Sequence, residues 1–286
     1  RCAEVVSGDD FAGAIDEAAS LLNAAGVDTA RLDAEVLLAH AAGIERAGLF
    51  ARLRDEIPES IRARFDESIR RRARREPVAY VTGEKEFFSL SFYVTPDVLI
   101  PRPETELLVE QALRLAPAKA RVLDVGTGSG CIAVALAVHR PDLRVTACDL
   151  APAALAVAAE NARRHGVEAR VRCIASDLFD GFDPNRRWDV IASNPPYVAA
   201  GEDLPPELAW EPAAALRAGP DGMTVIRRLL IEGVTRLAEG ARLLVEIGAD
   251  QGEVTRGTAR EAGLTEVEVL TDLAGHPRLL IAARKS

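Results

Sequence analysis

The stretch Val122-Leu123-Asp124-Val125-Gly126-Thr127-Gly128-Ser129-Gly130 constrains this chain most: an apolar run ends in three alternating glycines and continues into a helical apolar segment, 132–139. A strand that passes through a glycine-rich turn into a helix opens a βαβ unit, and such sheets bind ligands outside the carboxyl ends of their strands. The alternation continues. Short apolar runs at 121–125, 144–149, 169–174 and 188–193 bracket helical segments at 132–139 and 152–165, which predicts a mostly parallel α/β sheet, Rossmann-like, with helices on both faces. Runs at 241–247, 265–270 and 278–283 bring the count to about seven strands. The link 271–277 is too short for a helical crossover, so the last pair is expected to be antiparallel.

The first part of the chain has another rhythm. From Asp9 to about Arg75, apolar residues recur at helical spacing, as in Phe11, Ile15, Ala18 and Leu22 or Leu32, Val36, Leu37 and His40, with no strand pattern between them. A small helical bundle is expected over 1–76, with Ser7 or Asp9 capping the first helix, Asp28 the second, and Pro58 with Glu59 opening a fourth. The last helix carries Arg62, Arg64, Arg70, Arg71, Arg72, Arg74 and Arg75. Such a run is either a solvated face paired with Asp66 and Glu67 or a docking surface for an acidic partner or RNA phosphate. Residues 77–103, with β-prone pieces 78–81 and 90–94 around Gly83, read as a hairpin-containing linker, and 104–286 as the α/β domain.

Composition removes several classes of function. A chain of 286 residues, 48% hydrophobic and 28% charged, falls in the globular range. A net charge of -9 and only 5% aromatic residues argue against a surface that grips nucleic acid. No apolar run approaches the roughly 20 residues needed to span a bilayer, and residues 1–10 lack a signal pattern, so a cytoplasmic location without membrane contact is expected. The sole methionine is Met223, and the natural start is expected to precede Arg1. Cys2, Cys131, Cys148 and Cys173, like His40, His139, His165 and His276, show no ligand spacing, so neither a metal site nor a disulfide framework is expected.

A dinucleotide-binding loop follows Gly-x-Gly-x-x-Gly, whereas here Gly130 arrives one residue early. The run Gly126, Thr127, Gly128, Ser129, Gly130 resembles motif I of the class I S-adenosylmethionine methyltransferases; a dinucleotide enzyme and a plain strand-to-helix turn are the alternatives. Asp149, ending the next strand, has a carboxylate able to accept hydrogen bonds from both ribose hydroxyls. By the same resemblance Asp177 and Leu178 flank the adenine, although an isolated strand-end Asp is otherwise often a helix cap. Many relatives carry a larger aromatic where this chain has Leu178.

Asn194-Pro195-Pro196-Tyr197 follows the strand at 188–193. Two prolines cannot continue a ladder, so the chain is held in a rigid turn facing the cofactor crevice. That suits a planar nitrogen whose lone pair is delocalised, as in a peptide bond. The Asn194 side-chain oxygen and the Pro195 carbonyl can each accept one N–H of an –NH2 group, while Tyr197 lies against its flat face. The motif serves equally for adenine, guanine or glutamine amines.

Other residues narrow the choice. Gly83 with Phe87, the run Ile100-Pro101-Arg102-Pro103-Glu104-Thr105-Glu106, Glu211-Pro212 with Gly219, Asp221 and Gly222, and Glu246-Ile247-Gly248 with Gln251-Gly252 together resemble the bacterial release factor glutamine methyltransferases. That resemblance implies methyl transfer from S-adenosylmethionine, giving S-adenosylhomocysteine without a metal, to the glutamine of the Gly-Gly-Gln motif of class I peptide chain release factors. It also implies that the helical domain helps hold the factor and that Pro101, Arg102 and Thr105 border the cofactor pocket; Asn194 is expected to reach the cofactor as well, and the chain is expected to be a monomer. Alternatively, Arg102 and Glu106 form a domain-fixing ion pair; Asp272, Gly275 and Arg278 match a family pattern and read as structural. Two other functions remain open: an exocyclic-amine methyltransferase acting on RNA or DNA, and a noncatalytic adaptor of the translation machinery.

Overall fold

The computed structural model describes residues 10–285; Ser7 and Asp9, expected as helix caps, and Cys2 lie outside the described residues. Two compact units are present. One runs to Gly83 and includes Pro205–Trp210, and the other comprises Glu84–Leu204 and the chain from Glu211 onward.

The first unit contains α1 (Phe11–Ala24), α2 (Ala30–Ala42), α3 (Arg46–Phe50), α4 (Glu59–Ala73) and α5 (Val78–Thr82). The cap of α1 is Asp10, whose extended backbone lets its carboxylate accept the Gly13 N–H at 2.7 Å. Asp28 does not cap α2, which starts after Thr29 without a side-chain cap bond and ends at Gly43 in the left-handed region. Ile15, Leu22, Leu37, Leu38, Leu49 and Phe65 form the apolar centre. The β-prone piece 78–81 is helical instead. Pro77 presets the helical entry, Tyr80 and Val81 are buried, and Gly83 at φ 75° stops the turn, so packing overrides the strand preference of the valines.

The arginine run of α4 is largely neutralised within this unit. Arg62 pairs with Glu17 and Asp66, Arg70 with Glu67, and Arg71 with Glu76. Buried Arg72 donates to Asp33 at 2.7 Å and to Glu207 at 3.1 Å, and Arg75 donates to Glu207 at 2.8 Å. Glu207 lies on the 3-10 turn Pro206–Trp210.

The second unit opens with the hairpin β1 (Glu84–Phe87) and β2 (Leu90–Tyr93). Phe88 and Ser89 both have positive φ, as a two-residue primed turn requires. The Glu106 carboxylate accepts the Phe88 N–H at 2.8 Å and steadies it. There follow α6 (Glu106–Leu115), β3 (Arg121–Val125), α7 (Cys131–His139), β4 (Arg144–Asp149), α8 (Pro152–Arg164), β5 (Val171–Ala175), β6 (Trp188–Ser193), α9 (Ala213–Leu216), α10 (Thr224–Arg236), β7 (Leu237–Glu246), α11 (Gly252–Glu261), β8 (Leu264–Thr271) and β9 (Pro277–Arg284).

The sheet order is β5-β4-β3-β6-β7-β9-β8. The neighbouring strands β5, β4, β3, β6 and β7 are parallel, whereas β9 runs antiparallel to both β7 and β8; the short last link accounts for the β8–β9 pairing. Leu108, Val109, Ile132 and Leu136 from α6 and α7 pack in one apolar cluster, and Ile226, Leu229 and Leu230 of α10 in another. The central strands therefore read as continuous apolar runs because both of their faces are covered. Among the described residues no helix is long and apolar enough to cross a membrane.

Candidate active site

The carboxyl ends of β3, β4 and β6 open onto a cavity of about 270 Å3. Gly126, Thr127, Gly128, Ser129, Asp149, Asp177, Leu178, Asn194, Pro195, Pro196, Pro101, Arg102 and Thr105 all line it; Gly130 and Tyr197 do not.

The three loop glycines have φ of 70°, 53° and 80°, a region that costs side-chain-bearing residues energy. Gly130 has a packing role: a Cβ there would lie 3.0 Å from Ala158 Cα and Cβ on α8. Asp124, which the sequence reading did not single out, joins the two ends of the loop. One carboxylate oxygen accepts from the Thr127 hydroxyl at 2.6 Å and from the Ala133 N–H at 3.2 Å. Complete burial pushes its carboxyl up to about 7.

Folded Asp124 therefore keeps a proton that the unfolded chain has already released above pH ~4. Its contribution to stability should fall as pH rises from about 4 to about 7, with a slope of up to about 1.4 kcal/mol per pH unit. Denaturant titrations at pH 5 and pH 7 should show a weaker pH dependence for Asp124→Asn than for the native protein. Parallel curves would place the proton elsewhere.

Asp149 has two local tasks. Its Oδ2 accepts the Gly128 N–H and its Oδ1 the Ala151 N–H, both at 2.9 Å, so it fixes the loop and also serves the start of α8. Each carboxylate oxygen retains acceptor capacity for a hydroxyl. If the cavity takes S-adenosylmethionine as the resemblance implies, Asp149→Ala should weaken its binding about 10- to 100-fold, the equivalent of one or two hydrogen bonds to a charged group. Calorimetric titration with an unchanged dissociation constant would refute this assignment.

Exposed Asp177 pairs with Arg228 at 3.1 Å. Leu178 sits at φ 44°, unusual for a bulky residue; its carbonyl accepts from the Ser176 hydroxyl at 3.0 Å, which holds that conformation. Leu150, 70% exposed, also lines the cavity and supplies an apolar surface that the sequence patterns did not mark.

At the end of β6 the Ser193 hydroxyl donates to the Val125 carbonyl at 2.7 Å, tying the turn to β3. Asn194 Nδ2 donates to the Thr105 hydroxyl at 3.0 Å, and Thr105 donates to Glu246 Oε2 at 2.7 Å. Tyr197 packs on the apolar cluster of α10, and burial pushes its phenol up to about 12. Its carbonyl accepts from Gln251 Nε2 at 2.9 Å.

Arg102 does not pair with Glu106. Its partner is Glu211, whose other oxygen accepts the Ile100 N–H at 3.0 Å, so one buried carboxylate gathers the 100–102 segment beside the cavity. Glu106 serves the hairpin turn instead. Asn161, fully buried, was also missed by the sequence reading: it bonds both backbone groups of Tyr93 and the Ser129 carbonyl, linking hairpin and loop. Asp272 accepts the Ala274 and His276 N–H groups and pairs with Arg278 at 3.2 Å, closing the turn between β8 and β9 around Gly275. Among the described residues no group of three or more His, Cys, Asp and Glu side chains could hold a metal ion.

Comparison with known proteins gives concordant matches. Residues 13–83 match the family model "PrmC N-terminal domain" and residues 103–248 the model "Methyltransferase small domain". A release factor glutamine methyltransferase of Cereibacter sphaeroides is 48% identical over 274 residues, covering 95% of this chain and 97% of its own length. One from Moorella thermoacetica is 45% identical, covering 95% and 98%. Among solved structures, a methyltransferase from Pyrococcus furiosus shares the fold, with a TM-score of 0.54 at 19% identity over 79% of this chain and 98% of that one.

Proposed function

The chain belongs to the release factor glutamine methyltransferase family, and on that premise we propose that it methylates the glutamine side-chain amide of the Gly-Gly-Gln motif in class I peptide chain release factors, so modulating translation termination. One observation carries the reading. The Asn194-Pro195-Pro196 turn faces the same cavity as the glycine loop and Asp149, so a nitrogen-gripping turn and a nucleoside-sized cradle share one space.

The cavity fits S-adenosylmethionine on its own terms. Asp149 offers acceptors for ribose hydroxyls, Leu150 and Leu178 offer apolar surface for a flat base, and the N-terminus of α7, where Gly130 supplies no side-chain cap, favours a carboxylate. Bound there, S-adenosylmethionine would supply an electrophilic methyl group on sulfonium and depart as the neutral sulfide S-adenosylhomocysteine.

The protein's residues prepare the nucleophile. Asn194 Oδ1 and the Pro195 carbonyl accept the two amide N–H bonds, hold the nitrogen in line, and favour the positive charge that grows on it as the N–C bond forms. Proline keeps that second acceptor rigid, and fixed alignment of this kind lowers barriers by about 7–11 kcal/mol. The extra proton leaves to solvent once the nitrogen has been alkylated. The helical unit, in which Arg62, Arg70, Arg71, Arg72 and Arg75 are paired with acidic residues, is assigned the task of holding the release factor rather than nucleic acid.

Methyl transfer from labelled S-adenosylmethionine tests this directly. Label should enter purified release factor, and should be lost when the Gly-Gly-Gln glutamine is replaced. Label in a ribosomal RNA control instead would overturn the proposal.

A further inference from the structure

Glu246 presents an unresolved expense within the fold. It ends β7 and is 1% exposed; among the described residues its Oε1 has no hydrogen-bond partner, and its Oε2 accepts from Thr105 alone. A buried carboxyl with an orphan oxygen is destabilising, and groups of this kind cluster where function needs them. Its location is informative. Ser193 pairs with Val245 across β6 and β7, so Asn194 and Glu246 follow at adjacent strand ends. Thr105, equally buried, closes the 3-10 turn Pro103–Thr105 and bridges them.

We propose that Thr105 and Glu246 are positioning residues for methyl transfer, which hold the Asn194 amide with its nitrogen turned inward so that its oxygen is the atom presented to the substrate. The inference rests on the assignment of Asn194 as acceptor for the substrate amide.

The logic is a count of protons. A carboxylate only accepts, so the single Thr105 hydroxyl proton is committed to Glu246. The hydroxyl then has only lone pairs left for Asn194, and a lone pair is satisfied only by the –NH2 side. A flipped Asn194 would set its carbonyl oxygen against the threonine oxygen with no proton between them. It would also present donors to a substrate –NH2 group that has only donors to offer in its plane. One ionised carboxylate thus fixes the chemical sense of a side chain whose two ends have nearly the same shape.

The relay has a protonation state in which it fails. Burial pushes the Glu246 carboxyl up to about 7, with Arg278 of β9 and Arg102 opposing and Glu104 reinforcing; Tyr197 and Cys131 also face it. Protonated Glu246 can itself donate to Thr105, which frees the hydroxyl either to accept from Asn194 Nδ2 or to donate to a flipped Asn194 Oδ1, so the amide sense is no longer fixed. The transfer rate should therefore rise with pH through about 7. Asp124 titrates in the same range, so the diagnostic is which variant loses the dependence.

Single-turnover methyl transfer to release factor, with S-adenosylmethionine affinity measured in parallel, tests the relay in the full-length protein. Thr105→Val, which keeps the shape and removes the hydroxyl, should slow transfer about 100-fold, as expected for a misplaced reacting group, with cofactor affinity within about threefold. Thr105→Ser should restore the rate to within about threefold, and Glu246→Gln should abolish the rise through pH 7. An unchanged rate in Thr105→Val, equal losses in the Val and Ser variants, or a pH rise that survives in Glu246→Gln would each overturn the relay. If Thr105→Val does not fold, the serine rescue and the Glu246→Gln profile decide. Should Asn194→Ala transfer methyl groups normally, the assignment of Asn194 fails first; should Asn194→Ala be inactive and Thr105→Val active, only the relay fails.

Discussion

Asn194→Ala should lower the single-turnover rate of methyl transfer about 10²- to 10³-fold while leaving S-adenosylmethionine affinity within a few-fold of the native value. The magnitude is that of removing one preorganised hydrogen-bonding group from a site of developing charge. The separation of effects follows from position. Asn194 follows β6, where its amide is anchored through Thr105, whereas the ribose and base contacts are assigned to Asp149, Leu150 and Leu178 on other strand ends. Rapid-quench transfer from labelled cofactor and calorimetric titration, applied to the same preparation, would check both halves. Parallel loss of rate and affinity would mean that Asn194 holds the cofactor instead.

The second large effect lies outside the cavity. Gly222 adopts φ 71°, and a Cβ built there would overlap the Tyr197 carbonyl oxygen and lie 2.9 Å from Gln251 Nε2. The Tyr197 carbonyl is backbone within the 194–197 turn and accepts the Gln251 amide, so it cannot rotate away as a flexible side chain could. Gly222→Ala is expected to cost about 2–4 kcal/mol, combining a left-handed alanine with overpacking, and to depress transfer by moving Tyr197 and the prolines before it. Urea denaturation gives the first quantity and single-turnover kinetics the second. Gly201→Ala is the control: nothing lies within 4 Å of its added Cβ, so a change within about 0.5 kcal/mol is expected. Equal stability of the two variants would remove the steric argument.

The two predictions differ in how visible they were in the sequence. Asn194 stood out because an amide side chain followed by two prolines at a strand end is recognisable without coordinates. Gly222 entered only through a family resemblance, and its reason, a carbonyl oxygen in the space a Cβ would fill, comes from a residue 25 positions earlier. The helical reading of 10–75 and the strand reading of the α/β part followed from the periods of their apolar residues. The misread piece, 78–81, is a single turn, too short for a period to declare itself, and its valines took the conformation that buries Tyr80 and Val81.

Charge was the least legible feature. The arginines of the 62–75 run read from sequence as a possible docking surface, yet Arg72 and Arg75 find Glu207, more than 130 residues away. Arg102 pairs with Glu211 rather than with Glu106 four residues on, and the Thr105–Glu246 bond spans 141 positions.

The sequence by itself determined the elements and the residues at their ends: which runs are strands, where glycine lets the backbone turn, and which strand end carries the Asn-Pro-Pro-Tyr turn. These are local matters, set by side-chain period, backbone freedom and functional groups within a few residues. Tertiary structure decided the partners. It alone placed Glu246 behind Thr105 and Asn194, Asn161 under the glycine loop, and Tyr197 against Gly222, because adjacency in a parallel sheet is set by strand order, and that order brings together residues far apart along the chain.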